Sequence, residues 1–184
     1  MEHFYQNIHG WFNFDGLYSE MVNKFPSGSR FVEVGCWLGR SACYLGVEIV
    51  NSGKDIKLDC VDMWFVNHIP ELANEEVVKN GTLYSDFIKN IEPLINVITP
   101  IRMPSVEAAR LYEDESLDFV FIDADHTEKG FSADLNCWYP KIKKGGVLAG
   151  HDYDYPQIGA VLKSFFDGKR YEVILPNIWV HYKL

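Results

Sequence analysis

Phe31-Val-Glu-Val-Gly-Cys-Trp-Leu-Gly-Arg-Ser41 decides how this chain is read. An apolar run enters Gly35, a second glycine follows at Gly39, and a helical pattern takes over through about residue 51. In an α/β fold, a strand that turns through glycine into a helix offers free backbone N–H groups to a ligand. The spacing is G-x-x-x-G rather than G-x-G-x-x-G. The missing middle glycine matters, because a dinucleotide site needs it for backbone to approach a pyrophosphate. Trp37, the bulkiest residue available, stands there instead. Alone, the two glycines also fit a plain strand-to-helix turn.

Outward from this stretch, apolar runs alternate with amphipathic ones. That alternation predicts a parallel sheet with crossover helices. Strands are expected at about 30–34, Ile56 to Val61, 97–101, Leu117 to Ile122 and Val147 to Ala149, the last entered through a Gly145-Gly146 turn. Helices are expected at 39–51, about 70–79 from Pro70, 82–91, Ser105 to about Leu111, 128–139 and Pro156 to Phe166. Two final strands, about 171–175 and 178–183, are separated only by Pro176-Asn177, too short for a crossover, so they pair antiparallel. Phe4, Ile8, Trp11, Phe12, Leu17, Tyr18, Met21 and Val22 predict one or two N-terminal helices that pack on the sheet or over its site. The expected fold is an α/β, Rossmann-like doubly wound sheet of about seven strands, with helices on both faces. It forms one domain over residues 1–184, with 1–27 as an N-terminal helical segment.

Composition narrows the class. The chain has 184 residues, 47% hydrophobic and 23% charged, enough for one core of ordinary size. A net charge of −9 repels nucleic acid and anionic membrane. The densest basic cluster, Lys141, Lys143 and Lys144, is placed at a helix end, where cations complement the dipole. Cys36, Cys43, Cys60 and Cys137 form no C-x-x-C pair, which argues against a zinc site or a redox dithiol and fits a reduced, cytoplasmic setting. The N-terminus is too polar for a signal peptide, and no apolar run approaches the ~20 residues of a membrane span.

Acidic and polar groups gather just past the expected C-terminal ends of strands: Glu33 with Gly35, then Asp62, then Asp123, Asp125 and His126, then His151 and Asp152. Open α/β sheets bind ligands there. Asp62 closes the first βαβ unit, where an acid can accept hydrogen bonds from both ribose hydroxyls; a solvated acid or helix cap is the alternative. Ser41 and the helix N-terminus suit a ligand carboxylate, or simple capping. An adenosine carrying a non-phosphate tail fits the glycine turn, with S-adenosylmethionine the candidate. Asp123, His151 and Asp152 converge as two carboxylates and an imidazole, a set that suits Mg²⁺ or Mn²⁺; a strand-end acid beside a hydrogen-bonded loop is the alternative. His126 can act as general base, as can His151, or either can hold a structural hydrogen bond. Trp64 is the foremost aromatic candidate for the ligand, Tyr153 and Tyr155 for the acceptor side; such aromatics are more often core.

These motifs resemble the class I S-adenosylmethionine-dependent methyltransferases. Within them the chain is similar to the small O-methyltransferase branch of catechol and caffeoyl-coenzyme A enzymes and their macrolide- and cephalosporin-tailoring relatives. The resemblance covers residues 28–184. It implies that Gly35, Gly39 and Ser41, in the motif that also carries Glu33 and Trp37, hold the methionine part of the cofactor, that Asp62 binds the ribose and Met103-Pro-Ser105-Val106 meets the adenine, and that Asp123 lies at the cofactor and binds metal. Where the family's next strand ends in Asp-Asn, this chain has His151-Asp152. The implied function is methylation of a hydroxyl on a small molecule, a sugar, polyol or phenolic product, with divalent metal assistance. The partner would be a small-molecule acceptor, with no nucleic acid or membrane; the aromatic N-terminal segment suits a homodimer contact or, equally, burial on its own sheet. A catalytically silent cofactor- or partner-binding module and a metal-dependent hydrolase remain the alternatives; the latter's helical scaffold is missing.

Overall fold

A computed structural model describes residues 1–66, 72–174 and 177–184. Seven strands form one sheet: β1 (Arg30–Val34), β2 (Lys57–Asp62), β3 (Ile98–Arg102), β4 (Leu117–Ile122), β5 (Ile142–Gly150), β6 (Glu172–Ile174) and β7 (Ile178–Tyr182). Their order is β3-β2-β1-β4-β5-β7-β6. β1 to β5 run parallel, while β7 runs antiparallel to both β5 and β6. The sheet is the doubly wound, Rossmann-like one expected.

The strand alternation explains the two layers. Phe31, Phe119 and Phe121 point to one face, where α1 (Asp15–Lys24), α2 (Arg40–Ser52) and α4 (Leu83–Ile91) bury Tyr18, Leu45 and Phe87. Val32, Val34, Val120 and Ile122 point to the other, where α5 (Ser105–Ala108), α6 (Glu128–Trp138) and α7 (Pro156–Phe165) bury Ala108, Trp138 and Leu162. Each fully buried large side chain contributes about 1.5–3 kcal/mol. Pro100 sits on the edge strand β3, where a missing N–H costs no ladder bond and discourages further pairing.

Strand order reverses between β1 and β4, so the crevice above their C-terminal ends is the switch point of the sheet. The loops after β1, β2, β4 and β5 open there.

Several expectations shift. Gly145-Gly146 do not turn the chain into a short strand; both lie inside a longer β5, at a register irregularity opposite Leu117 and Phe119. Gly145 supplies the positive φ that such an irregularity needs. Lys143 and Lys144 therefore lie on β5, not at a helix end, and Lys143 pairs with Asp118 at 2.9 Å. The helix expected at 70–79 is confined, among the described residues, to α3 (Glu76–Lys79); Pro70 and Pro176 lie outside them. The segment 4–24 holds one short turn, Tyr5–Asn7, and one helix, α1. Among the described residues no helix is long and apolar enough to cross a membrane.

Candidate active site

The glycine turn is held from beneath by Asp62. One of its oxygens, Oδ2, accepts the backbone N–H groups of Cys36 (2.9 Å) and Trp37 (3.1 Å), and the other, Oδ1, accepts that of Trp64 (2.6 Å). Burial raises its pKa, and these backbone donors pull it back only in part. Asp62 is thus a clamp on the turn, with unused acceptor capacity left on Oδ1. The glycines are explained by protein contacts. A Cβ on Gly35 would collide with the carbonyl of Asp123, so this residue lets the β1 turn close on the end of β4. A Cβ on Gly39 would meet the Phe87 ring at 3.0 Å, and Gly39 also caps α2 with a φ of +83°.

Glu33 lies in the core below this turn, 1% exposed. Ser41 donates to its Oε1 at 2.5 Å, while Oε2 is buried without a hydrogen-bond partner, as is the Tyr18 hydroxyl. Burial raises the Glu33 pKa to about 8, against the lowering effect of Ser41. A carboxylate in that state is stabilised by a cationic ligand. The orphaned oxygen and the glycine turn together fit a sulfonium cofactor with an ammonium group.

Trp64 and Ser105 are placed differently from their expected roles. The Trp64 ring is 4% exposed, packs on Phe87 at 4.4 Å and donates its indole N–H to the Trp37 carbonyl at 2.9 Å. It plugs the turn from the α4 side instead of offering a stacking face. The Ser105 hydroxyl donates to Asp134 (2.5 Å) and accepts from the Trp138 indole (2.9 Å), so its side chain is spent on α6.

At the β4 and β5 ends, His126 bridges two carboxylates. Its Nε2 lies 2.8 Å from Asp152 and 3.8 Å from Asp123. Ligand atoms of Asp123, His126 and Asp152 all fall within 4.8 Å of one another, and the O, N, O donor set fits a divalent cation such as Mg²⁺ or Mn²⁺. The structure thus brings His126, not His151, against Asp123. His151 stands behind: Nδ1 is 2.9 Å from Asp152 and Nε2 is 3.0 Å from the Asn13 amide oxygen, so both ring nitrogens are engaged. Hydrogen bonds to Asp123 and Asp152 raise the His126 pKa to about 10. Burial would raise that of Asp152, but the two imidazoles outweigh it and hold it well below the carboxylate range. Glu33, Cys36 and Cys60 form a second close group, but burial pushes the Cys36 and Cys60 thiols up and keeps them neutral.

Of four non-glycine residues with positive φ among the described residues, three follow strand ends at this crevice: Trp37 after β1, Trp64 after β2 and Asp152 after β5. Strained backbone of this kind concentrates at functional sites.

Residues 32–153, well over half of the chain, match the family described as methyltransferase domain. The chain belongs to that family. Its sheet, helical layers and switch-point crevice are those of the class I S-adenosylmethionine-dependent enzymes. No curated protein matches the sequence significantly. Among solved structures, the O-methyltransferase NovP is similar with a TM-score of 0.70 and 15% identity, over 92% of this chain and 78% of that one. CalS11, a TDP-rhamnose 3'-O-methyltransferase of calicheamicin biosynthesis, has a TM-score of 0.62 and 11% identity over 91% and 76%. Fibrillarin from Aeropyrum pernix, with natively bound S-adenosyl-L-methionine, has a TM-score of 0.58 and 15% identity over 92% and 74%. At these identities the likeness is one of fold.

In this methyltransferase, sequence reasoning passed over Asn13, Tyr18 and Arg40. Tyr18 was read only as part of the apolar stripe, yet its hydroxyl bears on Glu33. Arg40 donates from Nη1 to the carbonyls of Ile8 and Gly10, both at 3.2 Å, and so ties the N-terminal segment to the glycine turn. Asn13 ties the same segment to His151. Its one signal was a lone amide within Trp11-Phe-Asn-Phe14.

Proposed function

We propose that the chain transfers a methyl group from S-adenosylmethionine to a hydroxyl of a small molecule, a sugar, polyol or phenolic product, with a divalent cation held by Asp123, His126 and Asp152. The observation that carries this reading is the pairing, across one switch point, of a clamped glycine turn over a buried acid, Glu33, with one unpartnered oxygen, and an O, N, O cluster. The O-methyltransferase neighbours NovP and CalS11 support the choice of oxygen as nucleophile.

The reaction forms an oxygen–carbon bond at the methyl, breaks the carbon–sulfur bond with S-adenosylhomocysteine as the leaving group, and passes the hydroxyl proton to water. The bound cation would lower the pKa of the acceptor hydroxyl. The chain's own residues do the positioning. Asp62 fixes the turn, Gly35 closes it onto Asp123, and donor and acceptor halves meet there. Holding reactants aligned can supply about 7–11 kcal/mol of the barrier. His126 serves as ligand in this reading: its Nε2, which faces Asp123 and Asp152, must give up its proton to hold the cation, and a nitrogen so engaged is not the base for the acceptor hydroxyl. His151 orients Asp152 through Nδ1 and is a positioning residue.

Calorimetric titration with S-adenosylmethionine, with and without Mg²⁺ or Mn²⁺, tests the proposal. Micromolar binding is expected, weakened at least about tenfold in Asp62→Ala, which frees three backbone donors. A separate metal-dependent heat is expected, lost in His126→Ala. Absence of cofactor binding under every condition sinks the reading.

A further inference from the structure

Two cysteines that the sequence keeps far apart meet beneath the glycine turn. β1 and β2 pair in parallel with Glu33 opposite Cys60, so both side chains reach the same face of the sheet. The turn after β1 then brings Cys36 back over the two strands. Its Sγ lies 3.4 Å from the Glu33 carbonyl and 3.7 Å from that of Val61. A carboxylate oxygen of Glu33 and the two sulfurs fall within 4.8 Å of one another, and all three residues are buried. No C-x-x-C motif signals this group; strand pairing assembles it.

The group has ligand capacity to spare. Both cysteines are free thiols. The Glu33 Oε2 atom is buried without a hydrogen-bond partner, while Oε1 takes the Ser41 hydroxyl. A buried oxygen without a donor is costly, so it favours a ligand. The donor set also differs from that of Asp123, His126 and Asp152. Oxygen and imidazole suit Mg²⁺ or Mn²⁺, whereas sulfur selects softer ions such as Zn²⁺. Zn²⁺ holds sulfur at about 2.3 Å and carboxylate oxygen at about 2.0–2.2 Å, so modest side-chain rotations close all three ligands on one ion. A thiol that burial keeps neutral still ligates, because the incoming ion displaces its proton to solvent. Cys43 and Cys137 stand outside the group, with their thiols on the carbonyls of Asn90 and Asp134.

We propose that Glu33, Cys36 and Cys60 form a site for a soft divalent cation such as Zn²⁺, and that this cation shuts the cofactor out. The second half rests on the methyltransferase reading, in which the free Glu33 oxygen serves the ammonium group of the cofactor. An ion on that oxygen withdraws it from the cofactor and ties Cys36, and with it the glycine turn, down onto β2. The chain then carries two cation sites of opposite use, a hard one that assists the reaction and a soft one that inhibits it.

Cd²⁺ is the probe, because its bonds to thiolate give an ultraviolet charge-transfer band that oxygen and imidazole ligands do not. With Mg²⁺ in excess, Cd²⁺ is titrated into the reduced wild type, Cys36→Ala, Cys60→Ala and Cys137→Ala, and circular dichroism checks that each variant folds. A band saturating at one ion per chain is expected in the wild type and in Cys137→Ala, and is expected to fall by about half or more in the other two. In calorimetry, Cd²⁺ at about ten times its own Kd should raise the Kd of S-adenosylhomocysteine about tenfold in the wild type and less than about threefold in Cys60→Ala. No band in the wild type, or a band lost in Cys137→Ala and kept in Cys60→Ala, overturns the site. A band with unchanged S-adenosylhomocysteine affinity overturns the exclusion and leaves the methyltransferase reading standing. Failure of S-adenosylhomocysteine to bind without Cd²⁺ overturns that reading and the exclusion with it, while the band alone still decides the site.

Discussion

Carboxylates line both halves of one crevice, and the two halves hold them in opposite ways. After β1 and β2, Glu33 and Asp62 are served by neutral donors, one hydroxyl and three backbone N–H groups, and burial raises both pKa values. After β4 and β5, Asp152 is served by two imidazoles, which outweigh burial and keep it charged. The donor half is thus built from backbone and buried groups and leaves one acid short of a partner. The acceptor half is built from side-chain charge at the surface. In the proposed reading a cationic cofactor would complete the first, and a cation with hydroxyls the second. The difference shows how one fold can keep a common cofactor turn while its acceptor chemistry varies with a few exposed side chains.

The strongest way to break this arrangement is at the seam. Gly35→Ala places a Cβ on the Asp123 carbonyl at a φ of +87°. Both effects are unfavourable, overpacking against backbone at about 1–3 kcal/mol and strain of the same order. Denaturant unfolding should show a loss of about 3 kcal/mol or more, with cofactor binding and activity lost together. A variant of unchanged stability would mean that the two halves do not meet at this glycine.

Next in size is Asp123→Ala, which should separate the halves. The acceptor half loses one of three cluster ligands, and kcat/KM should fall about 10²–10³-fold, the several kcal/mol that a bound cation contributes. S-adenosylhomocysteine affinity, measured by calorimetry, should change less than about threefold, because the donor half is held by Asp62 and Glu33. If activity survives with a chelator present as well, the cluster is structural and no cation takes part.

The legible and illegible parts of the sequence divide along the same line. The glycine turn, Asp62 and the strand ends could be read because period-2 apolar runs and turn glycines are local signals. The antiparallel end could be read because Pro176-Asn177 excludes a crossover. β5 was read too short because Gly145-Gly146 signals a turn, and only pairing with β4 and β7 shows that the pair lies within the strand. Trp64 looked like a ligand face because it follows Asp62; α4, distant in sequence, covers it with Phe87 and Tyr84. The exchange of His126 for His151 at the cluster was equally hidden. Both follow strand ends, and the choice depends on Asn13, 138 residues away, which engages one of them.

The smallest effect sharpens the comparison at a third acid. Asp134, on α6 beneath the β3 loop, is 3% exposed and accepts from Ser105; burial raises its pKa to about 6, against the lowering effect of that hydroxyl. Like Glu33, it has no cation beside it. The sign of its contribution follows. Between the ordinary carboxylate value near 3.8 and about 6, the folded state keeps a proton that the unfolded chain releases, so stability falls as pH rises through that window and stays lower above it. Two pK units correspond to about 3 kcal/mol at most. Asp134→Asn keeps an oxygen for Ser105 and removes the titration. Thermal unfolding at pH 8 should show the variant more stable by about 1–2 kcal/mol, and at pH 4 the advantage should vanish. The corresponding change at Asp152 should run the other way, because there the charge is favoured and its loss leaves two imidazoles without their anion. A variant Asp134→Asn that is less stable at pH 8 would show that this acid, like Asp152, is held as a charge.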